Sequence, residues 1–106
     1  MPLKQIVILA DDGGKPPSGG GMTPLGRRKD IIRDLASYNT SPAAPEDDVL
    51  HGPGIRIEIA PGQDPVTQML LTIDDEDIAW VVILRLARIF HWKLLDPVSG
   101  RELRAH

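Results

Sequence analysis

The chain has 106 residues and a formal net charge of −3, a size that predicts one domain with a modest core. The acidic balance argues against a general nucleic-acid-binding protein, since such proteins are usually basic. The absence of cysteine excludes a disulfide framework, thiolate metal ligands and a cysteine nucleophile.

The first predicted element is a strand over residues 3–10. Its β-branched residues and the unbroken apolar run 6–10 are typical of a strand that is buried on both faces. The run begins directly after Lys4 without the pattern of a signal peptide, so the sequence favours a cytoplasmic location.

A glycine- and proline-rich stretch follows, and residues 11–22 are predicted to form a long loop because these residue types disfavour both helix and strand. Thr23 and Pro24 are a favourable helix start, an N-cap followed by proline at the first helical position. The predicted helix runs to about Tyr38, and Asn39 suits the left-handed position that follows a helix.

The middle of the chain combines a second loop with two strands. Residues 39–54 are rich in proline, glycine and acidic residues and are predicted to form a loop, in which Val49 and Leu50 are expected to cover a flank of the second helix. Residues 55–59 alternate between apolar and charged, as in a half-exposed strand. Residues 66–73 are mostly apolar and are predicted to form a central strand.

Residues 74–92 are the predicted second helix and hold most of the aromatic side chains. Asp74 is the expected N-cap, and the acidic residues after it suit the positive end of the helix dipole. On a helical wheel the apolar arc is about twice as wide as the ~100° of an ordinary surface helix, so a second segment or a partner must cover part of it. No membrane span is predicted, because a bilayer requires ~20 apolar residues and arginines interrupt this run.

A short strand at residues 93–96 and a polar tail that adds a brief returning strand complete the chain. The order βαββαβ predicts an α+β, ferredoxin-like sandwich over residues 1–106, with a four-stranded, mostly antiparallel sheet and two helices on one face. A tandem βαβ arrangement of the tautomerase kind has the same element order and stays open.

The opening Pro2, followed by a strand and a helix, resembles the tautomerases. That resemblance implies that the amine of Pro2 acts as a general base. The arginine that those enzymes place after the first strand is absent, and Asp11 and Asp12 stand there instead. Our preferred interpretation assigns no catalytic residue.

The alternative function is a regulatory ligand-binding domain or small enzyme with an anion site. A strand, a glycine-rich loop and a basic helix N-terminus are the ingredients of phosphate or carboxylate binding. The phosphate-binding loop has a Lys-Ser/Thr pair where this chain has two arginines. The candidate residues are Gly20, Gly21, Thr23, Arg27 and Arg28.

Neither a metal nor a cofactor is predicted. The three histidines are spaced too widely for a metal-ligand pattern. Paired acids such as Asp11 and Asp12 can hold a divalent cation, but the other acidic clusters are explained by helix capping and loop solvation. The predicted strands lack the aromatic residues with which RNA-recognition domains stack bases, so no nucleic-acid partner is expected.

Two apolar surfaces instead predict association. The uncovered face of the sheet and the broad apolar arc of the second helix both exceed what one small domain hides. We therefore predict a small, non-catalytic interaction or assembly module, either a homo-oligomer or bound to a protein partner. The predicted interface residues are Val7, Leu9, Leu70, Trp80, Leu84 and Trp92.

Overall fold

The computed structural model describes residues 5–11, 23–44 and 46–103. The described chain forms two helices, α1 (Arg28–Ala36) and α2 (Glu76–Phe90). The strands are β1 (Gln5–Ala10), β2 (Ser41–Pro42), β3 (Val49–Gly52), β4 (Ile55–Ile59), β5 (Gln68–Ile73), β6 (Trp92–Leu95) and β7 (Glu102–Leu103).

All the strands join one antiparallel sheet in the order β2-β3-β4-β5-β1-β6-β7. The α+β class is confirmed, but the four-stranded ferredoxin-like sandwich is wrong, because the sheet has seven strands. Two of the additional strands, β2 and β3, come from residues 39–54, which were expected to form a loop. The tandem βαβ alternative is also wrong, since it requires neighbouring parallel strands.

Alternation along the strands places the core on one face of the sheet. In β4, Ile55 and Ile57 are buried while Glu58 is exposed, as the sequence pattern predicts. In β1, Ile6 and Ile8 are fully buried. The side chains between them stay partly exposed, so the expectation that this strand is buried on both faces is wrong.

The longer helix, α2, begins one residue later than expected. Its N-cap is Asp75, whose carboxylate accepts a hydrogen bond from the Asp77 N–H at 3.0 Å, and the assignment of Asp74 to that role is wrong. The helix ends at Phe90 because His91 adopts a left-handed conformation with φ of 56°. Trp92 therefore belongs to β6 and not to the helix.

The shorter helix, α1, begins at Arg28, so the expected start at Thr23–Pro24 is wrong. The chain before it is instead held extended against Val66. The Leu25 N–H donates to the Val66 carbonyl at 2.7 Å, and the Val66 N–H donates to the Gly26 carbonyl at 2.8 Å. After the helix, Asn39 has a φ of 59°, which confirms the predicted left-handed residue.

Both helices bury side chains in the same core. Leu35 of α1 and Ile83 of α2 are at most 1% exposed and join one cluster with the inward residues of the strands. Leu50, expected to shield a helix flank from a loop, is fully buried in that cluster as part of β3. No helix of the described ranges is long and apolar enough to cross a bilayer.

Candidate functional site

The sheet face opposite the helices, here called the open face, has an apolar centre. Val7 stands in register with Leu70 of β5 on one side and with Leu95 of β6 on the other. Leu9 extends this cluster one step along β1. All four side chains are partly exposed, and none joins the buried core cluster. The centre is thus a continuous aliphatic patch across three neighbouring strands.

Charged residues border this patch on both sides. On the β4 side, Glu58 stands opposite Leu70, and Arg56 lies two residues away on the same strand face. On the other side, Lys93 Nζ lies 3.9 Å from Glu102 Oε1. Each border therefore carries one acidic and one basic side chain.

A second uncovered surface lies on α2. Ile78 is 46% exposed, Val81 70% and Ile89 39%. At about 100° per residue, these three fall with Val82 and Arg85 inside an arc of about 100°. Val82, at one edge of this arc, also packs against the core cluster. We call this set of five residues the outer stripe.

The predicted interface residues on the helical side have other positions. Trp80 is partly buried against the core cluster, and Leu84 is half-buried. Trp92 is only 8% exposed, and its ring stacks on Phe90 at a centroid distance of 5.7 Å. Phe90 also makes an edge-to-face contact with Tyr38 at 5.6 Å. Most of this aromatic surface is thus packed within one molecule.

Sequence reasoning missed Leu95, and it named no residue of the outer stripe as an interface residue, although Ile78, Val82 and Ile89 belong to the predicted apolar arc. Leu95 was detectable, because Trp92 and Leu94 alternate with Lys93 and Leu95 as in a half-exposed strand. Only Val81 of the aliphatic members stands among the charged positions of the helical wheel. The exposure of the others depends on how the helix is rotated about its axis on the sheet, and the sequence pattern alone does not fix that angle.

A cavity of about 210 Å³ borders the outer stripe. One wall is the turn after α1, and another is Pro53 in the β3–β4 turn. The α2 side of the cavity consists of Val81, Val82, Arg85 and Leu86. The groove is lined by both polar residues, among them Ser37, Asn39 and Arg85, and apolar ones.

The candidate anion site is only partly within the described residues. Arg28 is the first residue of α1, and its backbone N–H donates a hydrogen bond to Asp64 Oδ1 at 3.1 Å. Its guanidinium donates to the Ala60 carbonyl at 3.0 Å and forms an ion pair with Asp48. The protein's own carboxylates therefore already occupy acceptor positions at this helix N-terminus.

The other residues proposed for that site are exposed or lie elsewhere. Arg27 is exposed, and its side chain makes no capping hydrogen bond. Thr23 is partly buried in the extended segment before the helix. Gly20 and Gly21 lie outside the described residues, so anion binding stays a prediction.

Two further sequence-based candidates, Pro2 and the Asp11–Asp12 pair, also involve residues beyond the described ranges, since Pro2 and Asp12 are not among them. Within the described part of the chain, no three histidine, aspartate or glutamate side chains come together in a way that could hold a metal ion. Comparisons with protein families, with characterised proteins and with solved structures found no match.

Proposed function

We propose that this chain is a small interaction module that forms homo-oligomers through its open face. The observation that supports the proposal is the in-register row Leu70–Val7–Leu95, an aliphatic patch on a sheet face that neither helix covers. Contiguous apolar patches on soluble domains commonly mark interaction sites. No catalytic role is part of the proposal.

Burial of these side chains supplies the driving force. Removal of apolar surface from water contributes about 25 cal/mol per Å², and a packed sheet face buries the outward residues of several strands at once. Two sheets that pack face to face do so about 10 Å apart, with their strands within about 30° of each other. An antiparallel face with central valine and leucine residues suits that arrangement.

The aliphatic row favours a second copy as the partner. A two-fold interface uses the same patch on both copies, and with the axis along β1 the two copies of Leu70–Val7–Leu95 cover each other. The borders limit this contact, because Glu58 and Glu102 both stand level with Val7 and lie over each other between the copies.

Val7→Lys tests the proposal because it puts a charge at the centre of the patch. The matched control is Gln5→Lys, which adds the same charge to the same strand and face but outside the aliphatic row. Sedimentation velocity over a range of micromolar concentrations measures the mass of each particle. We expect the wild type and Gln5→Lys to form larger particles than Val7→Lys, which loses the contact through the open face.

Circular dichroism and thermal unfolding establish that both variants are folded. A wild-type chain that stays monomeric up to about 100 μM would reject the proposal. Equal masses for wild type and folded Val7→Lys would likewise exclude the open face as the interface. In the second case the association would have to use another surface.

A further inference from the structure

We propose that α2 also pairs with α2 of a second copy, antiparallel, through the outer stripe. The inference is independent of the open face, because the two surfaces lie on opposite sides of the molecule. It rests on three observations: the exposed aliphatic residues, their spacing along the helix, and the placement of charge beside them.

Four of the five residues of the outer stripe, Ile78, Val82, Arg85 and Ile89, are symmetric about a point between residues 83 and 84, whereas Val81 is level with the buried Leu86 of the second copy. With a two-fold axis through that point, Ile78 lies level with Ile89 of the second copy, and Val82 lies level with the second copy's Arg85. These positions follow the three- and four-residue spacing that brings side chains together between packed helices. The pairing therefore covers Ile78 and Ile89, and Val81 lies at its edge.

Charge along the helix favours the antiparallel direction. Asp77, near the start of α2, and Arg88, near its end, lie within about 20° of each other around the helix axis. Both are exposed, and none of the ion pairs between described residues includes either one. Antiparallel pairing brings Asp77 of each copy beside Arg88 of the other, and it also opposes the two helix dipoles. A parallel pair would place the two copies of each residue on opposite sides of the contact and would leave these charges unpaired.

The cavity beside the outer stripe fits the same arrangement. Its α2 wall, from Val81 to Leu86, is level with the proposed axis. Val82 lines the cavity of about 210 Å³ in its own copy, so in the pair the two cavities lie on the same side of the contact. The exposed ring of Tyr38 borders the same groove and would become part of the contact.

Arg85 limits the strength of the pair. It stands close to the axis, so the two copies bring like charges towards each other. A contact between two such helices also falls below the roughly 1,200–2,000 Å² of stable interfaces. We therefore expect association at micromolar or higher concentrations, and Arg85→Gln should strengthen it several-fold.

Cross-linking tests the register directly, because the sequence contains no cysteine that would interfere. In the antiparallel pair, the two copies of residue 82 differ by only about 4–5 Å along the axis, whereas the two copies of residue 78 differ by about 16 Å. With a short bismaleimide, Val82→Cys should cross-link with itself. Ile78→Cys should not, but a mixture of Ile78→Cys and Ile89→Cys should give the cross-linked pair.

Self-cross-linking of Ile78→Cys would show a parallel pair and overturn the proposal. So would the absence of a cross-link for Val82→Cys at concentrations where sedimentation shows a dimer. The test stays valid if the open face fails, since Val7→Lys can serve as the background. Cross-linking through residue 82 in that background would support the helix pair even when the open face makes no contact.

A charge exchange gives a second, independent readout. Asp77→Arg and Arg88→Asp should each weaken association several-fold, because each places like charges side by side. The double variant restores opposite charges and should recover dimer formation towards the wild-type level. Weakening that does not recover in the folded double variant would argue against contact between these residues.

Discussion

The Nε–H of Arg56 donates to both carboxylate oxygens of Asp74, at 3.1 Å and 2.9 Å. This hydrogen bond and the charge of Asp74 raise the pKa of Arg56 above its ordinary value. The pair connects the middle of β4 to the residue that precedes the cap of α2. Asp74 and Asp75 are thus adjacent in sequence but have different tasks.

Because Asp74 and Asp75 make different contacts, replacing them should lower the free energy of unfolding by different amounts. Asp75→Ala removes the cap of α2 and should lower the free energy of unfolding by about 0.5–2 kcal/mol. Asp74→Ala removes an exposed ion pair, which is worth less because solvent screens it. Urea unfolding followed by circular dichroism measures both. A larger loss for Asp74→Ala would show that our cap assignment is wrong.

Gly54 should be far less replaceable than Gly62, although both have positive φ, at 71° and 73°. A methyl group at Gly54 would lie 2.9 Å from the carbonyl oxygen of Asp75 and 3.1 Å from the amide nitrogen of Ala79. At Gly62 no atom lies within 4 Å. We expect Gly62→Ala to lose about 1–2 kcal/mol from backbone strain alone. Gly54→Ala should lose more, because α2 must also shift.

Thermal or urea unfolding measures the free energy of unfolding that each of the two glycine variants loses. The comparison is well matched because the backbone conformation is the same and only the surroundings differ. Similar losses would mean that the turn between β3 and β4 can move away from α2 at little energetic cost.

Arg28 should contribute to stability, whereas Arg27 should not. Arg28→Ala removes the contacts to Asp48 and Ala60 and should lower the free energy of unfolding by about 1–3 kcal/mol. Arg27→Ala changes an exposed side chain and should stay within about 0.5 kcal/mol of the wild type. Equal effects would contradict the structural role of Arg28.

Combining the same two arginine substitutions in one variant tests the alternative function, anion binding. If this helix N-terminus binds phosphate, millimolar phosphate should raise the melting temperature of the wild type. That rise should disappear in the double variant Arg27→Ala, Arg28→Ala. Because Asp64 already accepts a hydrogen bond from the Arg28 N–H, we expect no rise specific to phosphate, with chloride at matched ionic strength as the control.

The turn between β6 and β7 should loosen in acid. Asp96 accepts hydrogen bonds from the Val98 N–H at 2.8 Å and the Ser99 Oγ–H at 3.0 Å, and the pKa of Asp96 is lowered, chiefly by the bond from Val98. A carboxyl whose folded pKa is lowered stabilises the fold above its unfolded pKa, and this stabilisation is lost as the pH falls through the folded pKa.

NMR titration of the Val98 amide should therefore give a midpoint below the ordinary aspartate value of 3.8. Asp96→Asn has no carboxyl at this position and should abolish that transition at the Val98 amide. A wild-type midpoint at or above 3.8 would contradict the hydrogen-bonded arrangement of the turn.

Local sequence signals identified the elements with strong periodicity. The alternation of Ile55–Ile59 marked β4, and the acidic start and apolar run marked α2 to within two residues at either end. The end of α2 was placed too late because His91 has no sequence feature that announces a left-handed residue, a role usually taken by glycine or asparagine.

Tertiary contacts account for the parts that sequence reasoning missed. Thr23 and Pro24 suit a helix start, yet hydrogen bonds to Val66 hold the following residues extended. The glycine- and proline-rich stretch before β4 looked like a loop because its turn residues dominate its composition. Those residues in fact close the hairpin in which Leu50 reaches the core.

For the candidate surfaces too, local sequence patterns predicted one part and tertiary packing decided the other. The patch at Val7 and Leu70 followed from alternation, since residues two apart on a strand share a face. Trp80 and Trp92 were chosen for their size, but size also makes an aromatic residue a good filler for the core of its own chain.

Among the described residues, the outermost strands, β2 and β7, are each two residues long, and β2 includes Pro42, which has no amide hydrogen to donate. Such short borders offer an incoming strand few backbone groups to pair with, a property that guards natural sheets against sideways aggregation. Copies of this protein should therefore stack by their broad surfaces and should resist conversion into amyloid-like ribbons.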